Sequence, residues 1–377
     1  MRFFHIGDLH LGKKIYDFSM IDDQKYILTQ ILKRAEDEHI DAILISGDVY
    51  DKGVPPVEAV RLLDEFLTEL SQRKISIFMI AGNHDSSYRL DFGSRLFGEN
   101  KIHICGSYQG RLDPIIFQDE FGEIGVYLLP FVKPALVSPF FQEDIPTYQR
   151  AVELTLQETN LKKERRNILL AHQFVTWHGI AEQSDSETYS LGGLDEVDAS
   201  VFFDFDYVAL GHLHSPQRIG KDEIRFAGSP LAYSFSEIRR KKSITMVELK
   251  EKGDIKLDFI PLLPKRPLRE IKGPLCSLVD AARLEGGSED YIRGILTDAK
   301  LLNDPMGQLR SLYPNIMTIE MQAQESHVEK EFPYSAEDTS PQELFQLFFE
   351  RQNHREMDEM QKQAAQKAWE GLEGVVE

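Results

Sequence analysis

The chain has 377 residues, 42% of them hydrophobic, with 43 Lys and Arg against 62 Asp and Glu, a formal net charge of −19. That length and apolar content describe a folded acidic protein of two or three domains, and the 23 Phe, 13 Tyr and 2 Trp exclude global disorder. The acidic balance also argues against simple electrostatic attraction to nucleic acid, which needs a surplus of Lys and Arg.

In chain order, short apolar runs alternate with helix-period segments. A strand over residues 3–6 precedes a helix over 20–38, a strand over 42–46, a helix over 56–72 and a strand over 75–81, which is an α/β pattern. Further strands follow over 124–129, 167–171, 207–210, 223–227, 243–249 and 255–261, with a helix over 148–163. The segment 261–274 is proline-rich and reads as a connector, because proline removes ladder donors and fixes φ. A small α+β unit follows, with helices near 277–283 and 305–313 and strands near 291–296 and 315–321. After a polar linker, Leu344, Phe345, Leu347, Phe348 and Phe349 are too apolar for a free end in water. Met357, Met360, Ala364, Ala368 and Leu372 then recur at helical spacing as a narrow apolar stripe. The stripe either folds back on its own domain or lies against a partner.

Two cysteines, Cys105 and Cys276, far apart, exclude a disulfide scaffold and read as buried thiols in a reducing compartment. No stretch nears the ~18–20 apolar residues of a membrane span. The opening Met-Arg-Phe-Phe-His-Ile-Gly-Asp lacks the basic-then-apolar order of an export signal. The expectation is a cytoplasmic protein with no membrane contact.

Five segments end predicted strands with metal-capable side chains: Asp8-Leu-His10, Gly47-Asp48-Val-Tyr-Asp51, Gly82-Asn83-His84-Asp85, Ala171-His172 and Gly211-His212-Leu-His214. In an open α/β sheet the crevice beyond the carboxyl edge collects side chains from several strands. The two-residue spacing in Asp8-Leu-His10 and His212-Leu-His214 puts both polar groups on one side of extended backbone. Carboxylates, imidazoles and an amide oxygen suit manganese, iron or zinc. A single such motif is weak; five in this order are specific.

That ordered set resembles the calcineurin-like metallophosphoesterases over residues 1 to about 260. The resemblance implies a two-sheet β-sandwich flanked by helices with a di-metal centre at its edge. The runs Ser190-Leu-Gly-Gly-Leu, Phe205-Asp-Tyr-Val-Ala-Leu-Gly-His-Leu-His and Ala227-Gly-Ser-Pro-Leu-Ala-Tyr-Ser-Phe-Ser-Glu narrow it to the SbcD family of nuclease subunits. This implies a nuclease domain over 1–264, a small α+β capping domain over 265–335, and a linker with C-terminal helices for partner binding over 336–377. It also implies hydrolysis of DNA phosphodiester bonds, as a duplex-end exonuclease and a single-strand or hairpin endonuclease, with an SbcC-type ATPase and as a homodimer. The implied cofactors are two divalent ions, Mn²⁺ foremost. Asp8, His10, Asp48 and His214 would hold one, and Asp48, Asn83, His172 and His212 the other, with Asp48 as the bridge.

His84, left without a metal by the resemblance, is the expected catalytic histidine, a side chain whose ordinary pKa suits general acid work. Asp51 is expected to pair its carboxylate with His84, fixing its tautomer. Asp85 reads equally as a turn residue. His5, His39, His103, His178, His327 and His354 read as structural or surface residues. The basic clusters Lys162–Lys163–Arg165–Arg166 and Arg239–Lys242 are candidates for backbone-phosphate contact, or simply solvated faces.

Overall fold

The computed structural model describes residues 1–159, 161–182, 184–186, 195–299, 302–322, 340–353 and 355–373. They fall into two compact units, Met1–Arg269 and Glu270–Glu377.

The first unit carries two six-stranded sheets. One runs in the order Ile255–Pro261, Ser243–Leu249, Arg2–Ile6, Ala42–Ser46, Ser76–Ile80, Ile102–Cys105. Its last four strands are parallel, and the first two are antiparallel additions. The other runs Gln217–Ile219, Lys221–Phe226, Tyr207–Gly211, Arg166–His172, Gly122–Leu129, Ile115–Asp119, with a parallel centre and an antiparallel strand on each edge. Strands 42–46 and 76–80 are buried at every residue. A parallel sheet covered on both faces dictates such unbroken apolar runs. Between the sheets, Phe3, Leu44, Phe78 and Val247 of one meet Val126, Ile168, Tyr207 and Ala209 of the other. Helix Tyr148–Gln157 covers the outer face of the second sheet through Ala151, Val152 and Leu154. Helices Ile21–Asp37 and Val57–Gln72 pack on one another and bury Ile27, Ile31, Leu62 and Phe66. The fold is therefore the α/β sandwich expected.

Three local expectations need correction. The helix from Tyr148 ends at Gln157, because Thr155 and Thr159 hydroxyls donate back to the carbonyls of Val152 and Thr155 and compete with the ladder. The proline-rich segment contains a strand, Leu268–Gly273, in the stretch between Pro267 and Pro274 where no proline interrupts the donors. Cys276 is exposed in the first turn of its helix, and only Cys105 is partly buried. Strands Ile102–Cys105 and Ile115–Asp119 escaped the periodicity because both are short edge strands with half-exposed positions.

A three-stranded sheet, Leu268–Gly273, Tyr291–Leu296, Ile316–Met321, of which all but the first two residues belong to the second unit, is backed by helices Leu275–Glu285 and Pro305–Arg310. Leu278, Ala282, Ile292, Leu309 and Tyr313 form its core. Helices Pro341–Asn353 and Glu359–Glu373 follow, with Phe345 and Trp369 edge to face at 6.3 Å. Among the described residues, no helix is long and apolar enough to cross a membrane.

Candidate metal centre

The carboxyl ends of the parallel strands in both sheets open on one edge of the first unit. Strand Arg2–Ile6 leads to Asp8 and His10, Ala42–Ser46 to Asp48, Ser76–Ile80 to Asn83 and His84, Arg166–His172 ends on His172, and Tyr207–Gly211 leads to His212 and His214. The first two loops are zipped together: Asp8 N–H donates to Gly47 O (3.0 Å), His10 N–H to Asp48 O (2.9 Å) and Leu11 N–H to Val49 O (2.9 Å). Four of these residues sit at positive φ: Asp8 (52°), His10 (44°), Asp48 (47°) and His212 (114°). Side-chain-bearing residues avoid that region, and strain of this kind gathers at functional sites. Two glycines allow the approach. A Cβ at Gly82 would run into the Asp48 carboxylate and amide, and one at Gly211 into the Ser46 carbonyl and His172 Nδ1.

Eight predicted residues converge. His10 Nε2 and His214 Nε2 stand 3.0 Å apart. Asp48 Oδ2 lies 3.7 Å from His10 Nε2, 3.4 Å from His172 Nε2 and 4.0 Å from His84 Nε2, while its Oδ1 accepts from His84 N–H at 2.9 Å. Asn83 Oδ1 is 3.0 Å from both His172 Nε2 and His212 Nδ1. Asp8 Oδ1 accepts from His212 N–H at 2.9 Å. Asp8, His10, Asp48, His172 and His214 are buried; His84 and His212 are half-buried, and Asn83 is exposed at the open side.

This donor set fits divalent cations. Asp8 Oδ2 is buried with no hydrogen-bond partner among the described residues. His172 Nδ1 donates to Ser46 O at 2.8 Å, which turns Nε2 toward Asn83 Oδ1 and Asp48, where a cation could displace its proton. The Ser186 hydroxyl donates to Glu237 Oε1 (2.5 Å) and accepts from His214 Nδ1 (2.7 Å), so His214 turns an unprotonated Nε2 inward. Asp8–His10–His214, His10–Asp48–His84 and Asp8–Asp48–His172 each gather ligand atoms within 4.8 Å of one another. The electrostatics agree. Burial pushes the Asp8 carboxyl up to about 7 and holds the His10 imidazole well below its usual value. Burial likewise works against the charge on Asp48, but the neighbouring His172 outweighs it and holds that carboxyl well below the carboxylate range. His172 is raised to about 9, its own burial being overcome by Asp48. Burial, with His172 beside it, takes His212 down to about 3. One ionised carboxylate stabilised by surrounding imidazoles is a ready place for positive charge.

Asp51 requires correction. Its carboxylate accepts from Lys13 Nζ at 2.7 Å and lies 3.7 Å from His10 Nδ1. What His84 Nδ1 meets, at 3.0 Å, is the Asp51 backbone carbonyl, because the turn after Val49 points that carbonyl, and not the side chain, at the ring. Asp85 has a definite task that spacing did not disclose: its carboxylate accepts from the amides of Gly82 (2.9 Å), Val49 (3.0 Å) and Tyr50 (2.8 Å), tying the Asp48 loop to the Asn83 loop. Burial and the Asp48 charge raise it to about 6.

Part of each basic cluster is occupied. Lys242 is buried, its Nζ donating to Glu237 (2.5 Å), Ser229 Oγ (2.8 Å) and His214 O (2.9 Å). Arg166 is buried on Asp119 at 2.9 Å, and Lys163 pairs with Asp204 at 3.0 Å. His5 is a core residue between the sheets, and His178 is exposed at φ 53° beside Trp177. Glu237 and Ser186, the support of His214, were missed; the only sequence signal was that Glu237 closes the Gly228–Glu237 run. His327, His354 and the 190–194 motif lie outside the described residues.

Residues 1–216 match the family model described as calcineurin-like phosphoesterase. The chain belongs to that family and is a metal-dependent phosphodiester hydrolase. Residues 264–353 match the model described as type 5 capsule protein repressor C-terminal domain. The chain is 36% identical over 324 residues to the SbcD subunit of nuclease SbcCD from Staphylococcus epidermidis, an alignment covering 85% of each, which sets it in the SbcD group of the family. Among solved structures, it is similar to a dimetal phosphatase from Danio rerio (13% identity, TM-score 0.40, 70% of this chain and 96% of that one). It is also similar to the E. coli phosphoesterase Yfce (11% identity, TM-score 0.27, 70% and 100%).

Proposed function

We propose that this chain is a DNA nuclease subunit that hydrolyses phosphodiester bonds with two divalent ions at one centre, working with an SbcC-type ATPase in the cytoplasm. The observation that carries the reading is the convergence of buried carboxylate and imidazole acceptors from both sheets on Asp48. DNA as substrate and the ATPase as partner rest on the likeness to the SbcD subunit of nuclease SbcCD across most of both chains. Exonuclease action on duplex ends and endonuclease action on single strands and hairpins belong to the same proposal.

Asp8, His10, Asp48 and His214 would hold one ion and Asp48, Asn83, His172 and His212 the other. The mixture of imidazole, carboxylate and amide oxygen suits manganese, iron or zinc, and the likeness to the SbcD nuclease subunit puts Mn²⁺ foremost. Such ions supply positive charge against the phosphoryl oxygens and make a water acidic enough to attack. The chain's own residues do the rest. His84 donates Nδ1–H to the Asp51 carbonyl, so its Nε2 faces the centre; its side chain is 30% exposed, open to a substrate. As imidazolium, that Nε2–H can protonate the departing oxygen. Asp51 is thus a positioning residue acting through its backbone. Asp85 and Glu237 hold the ligand loops in register.

The assignments of 265–335 as a capping domain and 336–377 as linker and partner-binding helices are part of this proposal. Leu344, Phe345, Phe348 and Met360 are exposed on the two C-terminal helices, which suits docking on the ATPase subunit. Homodimerisation is proposed through Tyr88 (86% exposed), Phe92 (83%) and Leu96 (75%), an apolar surface that a second copy would cover. The test is cleavage of a labelled hairpin-ended duplex in Mn²⁺ by wild type and His84→Gln, with and without the ATPase subunit and ATP. DNA cut by the wild type and spared by the variant is expected. Hydrolysis of a small phosphodiester alone, even with partner and ATP, would replace the nuclease by a small-molecule phosphodiesterase.

A further inference from the structure

Beside the Asn83 and His212 side of the centre lies a cavity of about 130 Å³. Phe131, Tyr148 and Phe174 line it, the first two with ring centroids 6.1 Å apart and Phe174 6.2 Å from the His212 ring. Its polar lining also includes Gln173 and Asp195. Gln173 is 0% exposed, and its Nε2 donates to Val132 O at 3.1 Å, so the remaining amide atom, Oε1, is an acceptor. That oxygen and Asp195 Oδ1 are buried with no hydrogen-bond partner among the described residues. Asp195 is close enough for its charge, after burial, to raise the Tyr148 phenol.

These features select a ligand. Buried acceptors without partners are costly unless something donates to them. Among the described residues no Lys or Arg lines the cavity, and a carboxylate does, so a phosphate would be repelled. Aromatic walls favour a flat ring, by the stacking that single-strand-binding proteins use for bases. An apolar cavity of about 150 Å³ accepts a benzene molecule, so the volume suits one ring system. Resting on the nuclease reading, we propose that this cavity is a nucleobase subsite. It takes the base of a nucleotide flanking the scissile phosphate and prefers bases with an exocyclic amino group to donate to Gln173 Oε1 and Asp195. Adenine, cytosine and guanine offer that donor; thymine does not. Engaging it requires an unstacked base, which a single strand or hairpin loop supplies at lower cost than a duplex.

The experiment measures kcat/KM in Mn²⁺, with the full-length protein and its ATPase subunit, on single-stranded oligonucleotides that differ only in the nucleotide on one side of the cut. dA, dC, dG, dT and an abasic site are placed first on the 5′ side, then on the 3′ side. On one side, dA, dC and dG are expected to exceed dT by about tenfold, the worth of one well-made hydrogen bond. In Gln173→Met and Asp195→Leu that ratio is expected to fall toward one, a readout that a general loss of folding would not move. A ratio near one in the wild type on both sides overturns the subsite, and so does an undiminished ratio in both variants. If no strand is cut, the abasic one included, the nuclease reading itself has failed.

Discussion

Replacing Glu237 by Gln separates what holds this centre together from what the fold merely tolerates. Glu237 is 0% exposed, and Lys242 Nζ reaches its Oε2 at 2.5 Å. Burial opposes the charge on Glu237, but hydrogen bonding through His214 and the Lys242 ammonium outweigh it and hold the carboxyl far below its usual range. The substitution would leave Lys242 a buried cation, still donating to Ser229 Oγ and the His214 carbonyl but stripped of its carboxylate, and breaking a buried pair from one side costs about 3–5 kcal/mol. Gln offers one acceptor oxygen where the carboxylate offers two, so with that oxygen drawn to the Lys242 ammonium the Ser186 hydroxyl loses its acceptor and, through it, the His214 tautomer loses its support. Losing such a partner behind a metal-ligating histidine weakens metal binding about 10–100-fold. Urea unfolding of the metal-free protein reads the first effect, and Mn²⁺ titration calorimetry reads the second. The double variant Glu237→Met/Lys242→Met removes both charges, and is expected to regain most of the stability but not the Mn²⁺ affinity. An unchanged urea midpoint in Glu237→Gln, or affinity returning with stability in the double variant, would refute this reasoning.

Three further outcomes follow from single contacts. Gly211→Ala forces a methyl into the Ser46 carbonyl and His172 Nδ1, and should destabilise by at least the upper part of the usual range of about 1–3 kcal/mol for overpacking; an unshifted melting curve would count against the tight crossing of the two sheets. His5, held at about 3 by burial against an ordinary 6.5, stabilises the fold as the neutral ring, a contribution present above pH 6.5 and lost as pH falls toward 3. From pH 6.5 to 4.5 the wild type should therefore lose about 2.5 kcal/mol more than His5→Gln does, by urea unfolding at each pH; parallel losses would mean His5 carries no such linkage. Asp51→Asn keeps the backbone carbonyl that His84 uses, so the pH profile of cleavage should hold while stability falls by about 1.5–3 kcal/mol with the largely buried Lys13 pair. A displaced profile would restore a direct role for the carboxylate.

Strands buried on both faces, such as Ala42–Ser46, were legible because unbroken apolar runs have few other uses, and the ligand segments because each ended such a run. Short-range spacing could not reveal contacts made by chain reversal. Asp85 serves amides 35 and 36 residues earlier, and Glu237 serves His214 across 23 residues and a turn. Asp51 misled because sequence names a side chain, while the turn presented its carbonyl. Lys242 read as part of an exposed basic run, since nothing local marks one lysine of four as the partner of a buried glutamate.

The centre itself is tested most directly by anomalous diffraction from crystals of this protein grown with MnCl₂. Two manganese peaks are expected, one among Asp8, His10 and His214, the other among Asn83, His172 and His212, with the Asp48 carboxylate between them. A single peak, or two that do not share Asp48, would contradict the two-ion account.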